Sequence, residues 1–249
     1  MLPFRDWAGA EVSATLTGQV LIRLREDLKA NRFKPDERLR FERMKQIYDV
    51  GIAPLREALS RLAEVGLVVQ LGQKGFRVAP ASLADLRDVV ETRRFLEVRA
   101  FEEAVIHGED GWEGTVVAAF HQFSKSARRK PATSGERANW EKHHTAFHRA
   151  LLAGCPNRLL LHLWSVVFDK AERYRRLALE VGDWSQDELG DHERLLEVAL
   201  ARKSEQAGEL LFRHIGSSAE RLIARLGPAL VAPIDQSRGK RRVSRARAS

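Results

Sequence analysis

At 249 residues the chain has room for one or two domains with a sizeable core, and 44% hydrophobic with 31% charged residues is a globular composition. No apolar run reaches the roughly 18–20 residues of a membrane span, the N-terminus lacks the layout of a secretory signal, and one cysteine, Cys155, excludes an internal disulfide framework and fits a reducing cytoplasm. The net charge of +8 is uneven: residues 13–80 carry 13 Lys/Arg against 8 Asp/Glu, the last 13 residues carry six against none, and the long middle is slightly acidic.

In chain order, residues 1–12 read as a flexible arm. Leu16, Val20, Leu21, Leu24 and Leu28 then form one face of a helix ending near Asn31–Phe33. A turn at Lys34–Glu37 leads into two short helices between Leu39 and Gly66. Leu39, Met44 and Ile47 mark the stripe of the first. Asp49-Val50-Gly51 interrupts it, with Gly51 the residue best able to take a positive φ. Pro54 suits the first turn of the second helix; Leu55, Ala58, Leu59, Leu62 and Val65 keep its period, and Gly66 is a stop signal. Leu67–Leu71, a Gly72–Gly75 turn and Phe76–Ala79 read as a β-hairpin ending at Pro80. Residues 13–80 are thus expected to form a winged helix-turn-helix, a module whose second helix enters a DNA major groove. Arg40 would start the first helix of the pair, and Arg56 would lie on the recognition helix.

From residue 81 the pattern is helical throughout. Ser82 is a candidate N-cap with Asp85 three residues on. Helical runs follow at about Leu83–His107, Trp112–Arg129, Arg137–Ala153, Arg158–Val181, Gln186–Arg202 and Ser204–Leu226, broken mostly by Gly, Pro, Asn and Ser. Gly227-Pro228 is expected to end the last helix, leaving residues 229–249 as a basic disordered tail. Its cations would either hold DNA phosphates non-specifically or form a solvated end. The expected fold is mainly α with a small β wing: the winged helix-turn-helix, then an all-α antiparallel bundle over 81–228.

Four of the eight histidines have suggestive placement. His144 and His148 stand at i and i+4 and share one helix face, while His192 and His214 lie on the last two helices. If the helices pack about a common axis, the four imidazoles could meet and hold a metal. Chance placement is the competing reading, since the long separations carry no signal. The set lacks the His-Glu-x-x-His layout of a zinc protease.

The motifs PDERL (Pro35–Leu39), VGIAPLREAL (Val50–Leu59) and QKGFRVAP (Gln73–Pro80), followed by RRFLE (Arg93–Glu97), FHRAL (Phe147–Leu151), NRLLL (Asn157–Leu161) and HERLLEVAL (His192–Leu200), resemble in order those of GntR-type bacterial regulators with an FCD effector domain. The wording of DVGIAPLREAL looks most like regulators of glutarate and γ-aminobutyrate catabolism. The resemblance implies a metal site at His144, His148, His192 and His214, with His144 where the family usually has Asp. Four neutral imidazoles would leave the dication's charge uncompensated, favouring Zn or Ni over Mn and attracting an anion. It implies DNA contacts from Arg40, Arg56, Lys74 and Gly75, and from Gly51, Ile52 and Ala53, where the family often has Ser-Arg-Thr. Arg93 matches an arginine facing the effector cavity, suited to a carboxylate; a surface ion pair with Glu97 is its plainer role.

The reading implied is a cytoplasmic, homodimeric transcription regulator with no membrane association, most simply a repressor. It would bind a palindromic double-stranded DNA operator and sense a small organic acid, a dicarboxylate such as glutarate, through the bundle's metal. Residues 81–228 would then serve effector and metal binding and dimerisation. The alternative is a metal-dependent enzyme acting on a small organic acid, though no general base or nucleophile stands at a recognisable spacing.

Overall fold

The computed structural model describes residues 15–128, 131–181 and 188–231. Helix α1 (Leu16–Lys29) is capped by the Thr15 hydroxyl, which accepts the Gly18 N–H at 3.0 Å. Its Val20, Leu24 and Leu28 are fully buried. Then come β1 (Arg38–Leu39), α2 (Phe41–Tyr48) and α3 (Ile52–Glu64), the expected helix pair, followed by β2 (Val68–Gln70) and β3 (Phe76–Val78). The three strands form an antiparallel sheet in the order β1-β3-β2, with Val69 opposite Arg77 and Leu39 opposite Phe76.

Two local expectations fail. Leu39 belongs to β1 rather than to the first helix of the pair; a two-residue strand exists only by pairing with a segment far along the chain, so local periodicity cannot reveal it. The left-handed residue of the turn is Asp49, at φ 53 and ψ 51, whereas Gly51, at φ −70, is the extended N-cap of α3. Aspartate enters the left-handed region more readily than most residues because its short carboxylate bonds locally. Gly66, at φ +71, does close α3 as read, and Gly75, at φ +95, closes the wing turn.

The bundle comprises α4 (Leu83–His107), α5 (Asp110–Ala127), α6 (Ser134–Leu152), α7 (Arg158–Val181), α8 (Glu188–Leu200) and α9 (Ser204–Val231). Ser82 caps α4 by accepting the Asp85 N–H at 3.1 Å. A reciprocal Thr133–Glu136 capping box starts α6. The core centres on Trp112, Phe123, Phe147, Trp164, Leu195 and Leu211, and the Trp112 indole donates to the Ala150 carbonyl at 2.9 Å. Cys155 is a small packed residue in this core. Helix α9 runs through Pro228, which was expected to end it. Leu226 and Leu230, flanking the proline, pack with Leu86, Tyr174 and Ala178, and this burial holds the helical path past the lost hydrogen bond. Residues 229–231, expected in the tail, are therefore helical. The arm (1–12), the break at Gly182–Ser185 and the tail beyond 231 lie outside the described residues.

The hydrophobic core of residues 20–78 is separate from that of the bundle, and the seam between them is charged. Lys29 on α1 is buried against Glu172 (3.2 Å) and Asp169 (3.7 Å) on α7, and Arg25 pairs with Asp169. Asn31 donates to the Arg173 carbonyl at 3.2 Å, and the Arg173 guanidinium donates to the Ala79 carbonyl.

Candidate functional site

The N-terminal candidates fall on exposed positions. Gly51, Ile52 and Ala53 open α3 and are exposed, as are Arg56, Arg40 at the N-cap of α2, and Lys74 in the wing turn. Packing brings three elements together here. The Arg56 guanidinium sits 4.9 Å over the Phe41 ring, next in sequence to Arg40. Phe41 meets Phe76 of the wing edge-on at 6.2 Å, and Arg38 donates to the Lys74 carbonyl at 2.9 Å. Arg38 was missed by the sequence reading, because its position beside the wing follows from the β1–β3 pairing.

The four histidines converge. His144 and His148 project from α6, His192 from α8 and His214 from α9; all four are buried, and their ligand nitrogens lie within 4.8 Å of one another. His148 Nε2 and His192 Nε2 are 3.3 Å apart. Nitrogens bound at about 2.1 Å to one ion can be no more than about 4.2 Å apart, so a shared ion requires the widest pair to draw in slightly.

The groups behind the imidazoles set their chemistry. His148 Nδ1 lies 2.9 Å from Glu97 Oε1. As the carboxylate is an acceptor, Nδ1 carries the proton and the Nε2 lone pair faces the other rings. Burial alone would raise the Glu97 pKa, but Arg93 and then His148 hold it well below the ordinary range. Arg93 grips Glu97 with Nε at 2.5 Å and Nη2 at 3.1 Å. The Arg93–Glu97 pair is thus real but buried, not a surface pair. Glu97 was missed as a site residue; its i+4 spacing from Arg93 was visible, its distance from His148 was not. Burial, with Arg175 and the neighbouring rings adding to it, pushes the His144 pKa well down, and burial is the main reason His148 falls to about 4. Both rings are neutral at physiological pH, the state a metal requires.

A cation fits this donor set. Nδ1 of His144 is buried without a hydrogen-bond partner, and buried polar atoms of that kind are rare unless something polar or charged satisfies them. His214 Nδ1 stands 3.8 Å from Asp191, so Glu97 and Asp191 temper the charge that four imidazoles alone would leave uncompensated.

Beside the rings lies a narrow cavity of about 40 Å³, lined by Arg93, Arg175, Arg221, Arg225 and Ser218 as well as His144 and His214. Arg93 is where the sequence placed it. Arg175 on α7 and Arg221 and Arg225 on α9 were missed, because arginines on a long helix look like a solvated face until another helix packs beside them. Arg175 is held by Glu141 in a two-pronged pair, with contacts of 2.8, 2.9 and 3.1 Å. Burial raises the Glu141 pKa against the opposing pull of Arg175. Convergent guanidinium groups beside a cluster of imidazoles can hold an anion by charge-assisted hydrogen bonds.

The family models for bacterial regulatory proteins of the gntR family and for the FCD domain match residues 16–78 and 88–217. The chain belongs to the GntR family of bacterial transcription regulators. Its winged helix binds DNA, and its helical half is an FCD domain. The HTH-type transcriptional repressor GlaR of Escherichia coli (strain K12) is 36% identical over 197 residues, 77% of this chain and 89% of that protein. The HTH-type transcriptional regulator BphR of Paraburkholderia xenovorans (strain LB400) is also 36% identical over 197 residues, 79% of this chain and 80% of that protein. The solved structure of E. coli McbR/YncC shares the fold with a TM-score of 0.74 at 18% identity, covering 84% of this chain and 98% of that one. As a GntR regulator the chain is not an enzyme. Among its described residues no helix is long and apolar enough to cross a membrane.

Proposed function

We propose that this GntR regulator is a cytoplasmic, effector-responsive repressor. It binds a palindromic operator as a homodimer and senses a small organic acid through a divalent transition metal held by His144, His148, His192 and His214. The observation that carries this reading is the meeting of four buried imidazoles, with His144 Nδ1 lacking a hydrogen-bond partner, beside a cavity lined by arginines. Nitrogen-only ligation favours zinc or nickel over manganese. The bound metal would supply a Lewis-acidic point for an effector carboxylate. Arg93, Arg175, Arg221 and Arg225 favour a second negative group, hence a dicarboxylate. The narrow cavity favours short acids, and glutarate would fit once the rim widens. Arg40, Gly51, Ile52, Ala53, Arg56, Lys74 and Gly75 form the DNA-reading surface of each copy.

The test uses protein purified without a nickel column. Metal analysis should find one transition metal per chain. DNA retardation with the region upstream of its own gene should show a shift that short dicarboxylates weaken. A chain without affinity for transition metals would remove the sensing half of the reading. Acids that bind without altering the DNA shift would remove the coupling.

A further inference from the structure

A second cavity, of about 220 Å³, lies between the winged helix and the bundle. Its walls are Gly66 at the end of α3, Pro80 and Ser82 of the connection into α4, and Lys170, Arg173 and Tyr174 of α7. It has room for several water molecules, or for one oxyanion with a short organic tail.

The charges around it are unbalanced. Elsewhere at the seam Asp169 and Glu172 are matched by Arg25, Lys29 and Arg176. Arg173 is only 4% exposed, yet among the described residues no carboxylate pairs with it. Its Nη2 donates to the Ala79 carbonyl, and its Nε is buried without a partner. A buried guanidinium without a counter-ion is strongly unfavourable. Lys170, three residues earlier on the same face of α7, also makes no ion pair among the described residues. A Cβ added to Gly66 would stand 2.9 Å from its Nζ, so the ammonium rests against the end of α3. One acid faces the cavity, Asp85, and its carboxylate accepts the Tyr174 hydroxyl at 2.8 Å. Tyr174 in turn accepts the Ser82 N–H at 3.1 Å. Two cations against one carboxylate leave the cavity positive, and α4 adds the positive end of its dipole at Ser82.

We propose that this cavity binds a small phosphate-type oxyanion, a free phosphate or the phosphate group of a small ester, between Lys170 and Arg173. A tetrahedral oxyanion offers several acceptor oxygens, enough to engage an ammonium and a guanidinium together. The site needs no metal and does not depend on the histidine cup. An ion bound there touches α7, the connection and the end of the DNA-reading helix at once, and so fastens the winged helix to the bundle.

The test titrates the full-length protein with inorganic phosphate and, in parallel, with glycerol phosphate at constant ionic strength, by calorimetry and by the midpoint of thermal unfolding. Wild type should bind phosphate saturably, and its midpoint should rise as the site fills. Lys170→Met keeps the aliphatic stem at a half-buried position, so far-UV circular dichroism should be unchanged. Its phosphate affinity should fall about tenfold or more, as for loss of one charge-assisted hydrogen bond. General salting effects raise the midpoint of both proteins alike and cancel in the comparison. Arg225→Gln, which alters the arginine-lined cavity beside the histidines, should leave phosphate binding in place. Tighter binding of glycerol phosphate than of phosphate assigns the site to a phosphorylated metabolite, and the reverse order assigns it to the free ion; either order supports the site. A wild type without saturable phosphate binding overturns the proposal. So does binding that Lys170→Met leaves unchanged, and its loss in Arg225→Gln would place the ion beside the histidines instead.

Discussion

At the scale of single residues, Glu97 is the group whose role the surroundings change most. Read from spacing it is the partner of Arg93; in place it also holds the Nδ1 proton of His148. Glu97→Gln keeps the shape but leaves the Arg93 charge buried beside a neutral amide and removes the carboxylate that makes His148 a better donor. Metal affinity should fall about 10–100-fold, as is usual when the group behind a ligating histidine is lost; competition against a chromophoric chelator measures it, and an unchanged affinity would mean that His148 is not a ligand. Arg56 poses a different question, because its guanidinium already stacks on Phe41. Arg56→Ala should weaken operator binding in either role, but the salt dependence separates the two. If Arg56 holds a phosphate, the slope of log affinity against log salt falls by about 1. If it reads a base, the slope is kept and discrimination at one operator position is lost.

At the scale of elements, α7 has two working faces. Phe168 and Arg175 turn toward the histidine cup, with the Phe168 ring 5.8 Å from that of His148. Asp169, Glu172 and Arg173 turn toward the winged helix. The faces are joined by charge: Glu141 binds Arg175 and lies 4.0 Å from Arg176, Arg176 pairs with Glu172, and Glu172 with Lys29 of α1. Lys29→Met keeps the aliphatic stem and deletes the cation. Arg25 and Arg176 remain, so destabilisation should sit near the low end for breaking a buried pair, about 3 kcal/mol. Burial already raises the Asp169 pKa against Lys29 and Arg25, and loss of Lys29 raises it further. A carboxyl whose folded pKa exceeds its unfolded one disfavours folding once ionised, so the deficit should be largest at neutral pH and shrink as pH falls toward 5. Urea melts of both proteins at pH 7 and pH 5 check the magnitude and the sign.

The elements also show how much could be read in advance. The helix pair, the hairpin and the six bundle helices were legible because their apolar positions repeat at 3.6 or 2 residues, a signal local to each segment. His144 and His148 were legible for the same reason, being one turn apart. β1, the continuation of α9 past Pro228 and the roles of Arg175 and Glu141 were not, because each depends on a partner supplied by another part of the chain. Asp49 and Gly51 show a subtler failure: the turn was placed correctly, but two residues could take the left-handed conformation, and only the path into α3 selects between them.

At the scale of the whole molecule, reader and cup meet where α1 packs on α7 and where the chain passes from β3 into α4 against Arg173 and Tyr174, so an anion in the cup acts on DNA by changing how these elements seat. An effector that pairs with Arg175 competes with Glu141 for the same guanidinium, and a released Glu141 is free to draw Arg176 away from Glu172, loosening the hold on Lys29. A ligand shifts an equilibrium only by its difference in affinity for the two states, and the coupling is reciprocal. If a dicarboxylate weakens operator affinity of metal-loaded protein by some factor, saturating operator DNA must weaken dicarboxylate affinity by that same factor. Calorimetric titration of the acid with and without the operator measures one arm, and retardation with and without the acid measures the other. Lys29→Met should leave dicarboxylate affinity for the free protein within about twofold, because Lys29 does not line the cup. It should bring both coupling factors toward one, because the Glu172–Lys29 step between α7 and α1 is lost, leaving only Arg25–Asp169 and Asn31–Arg173 to carry the contact. Full coupling in that variant would show that the signal passes between reader and cup by a route other than this seam.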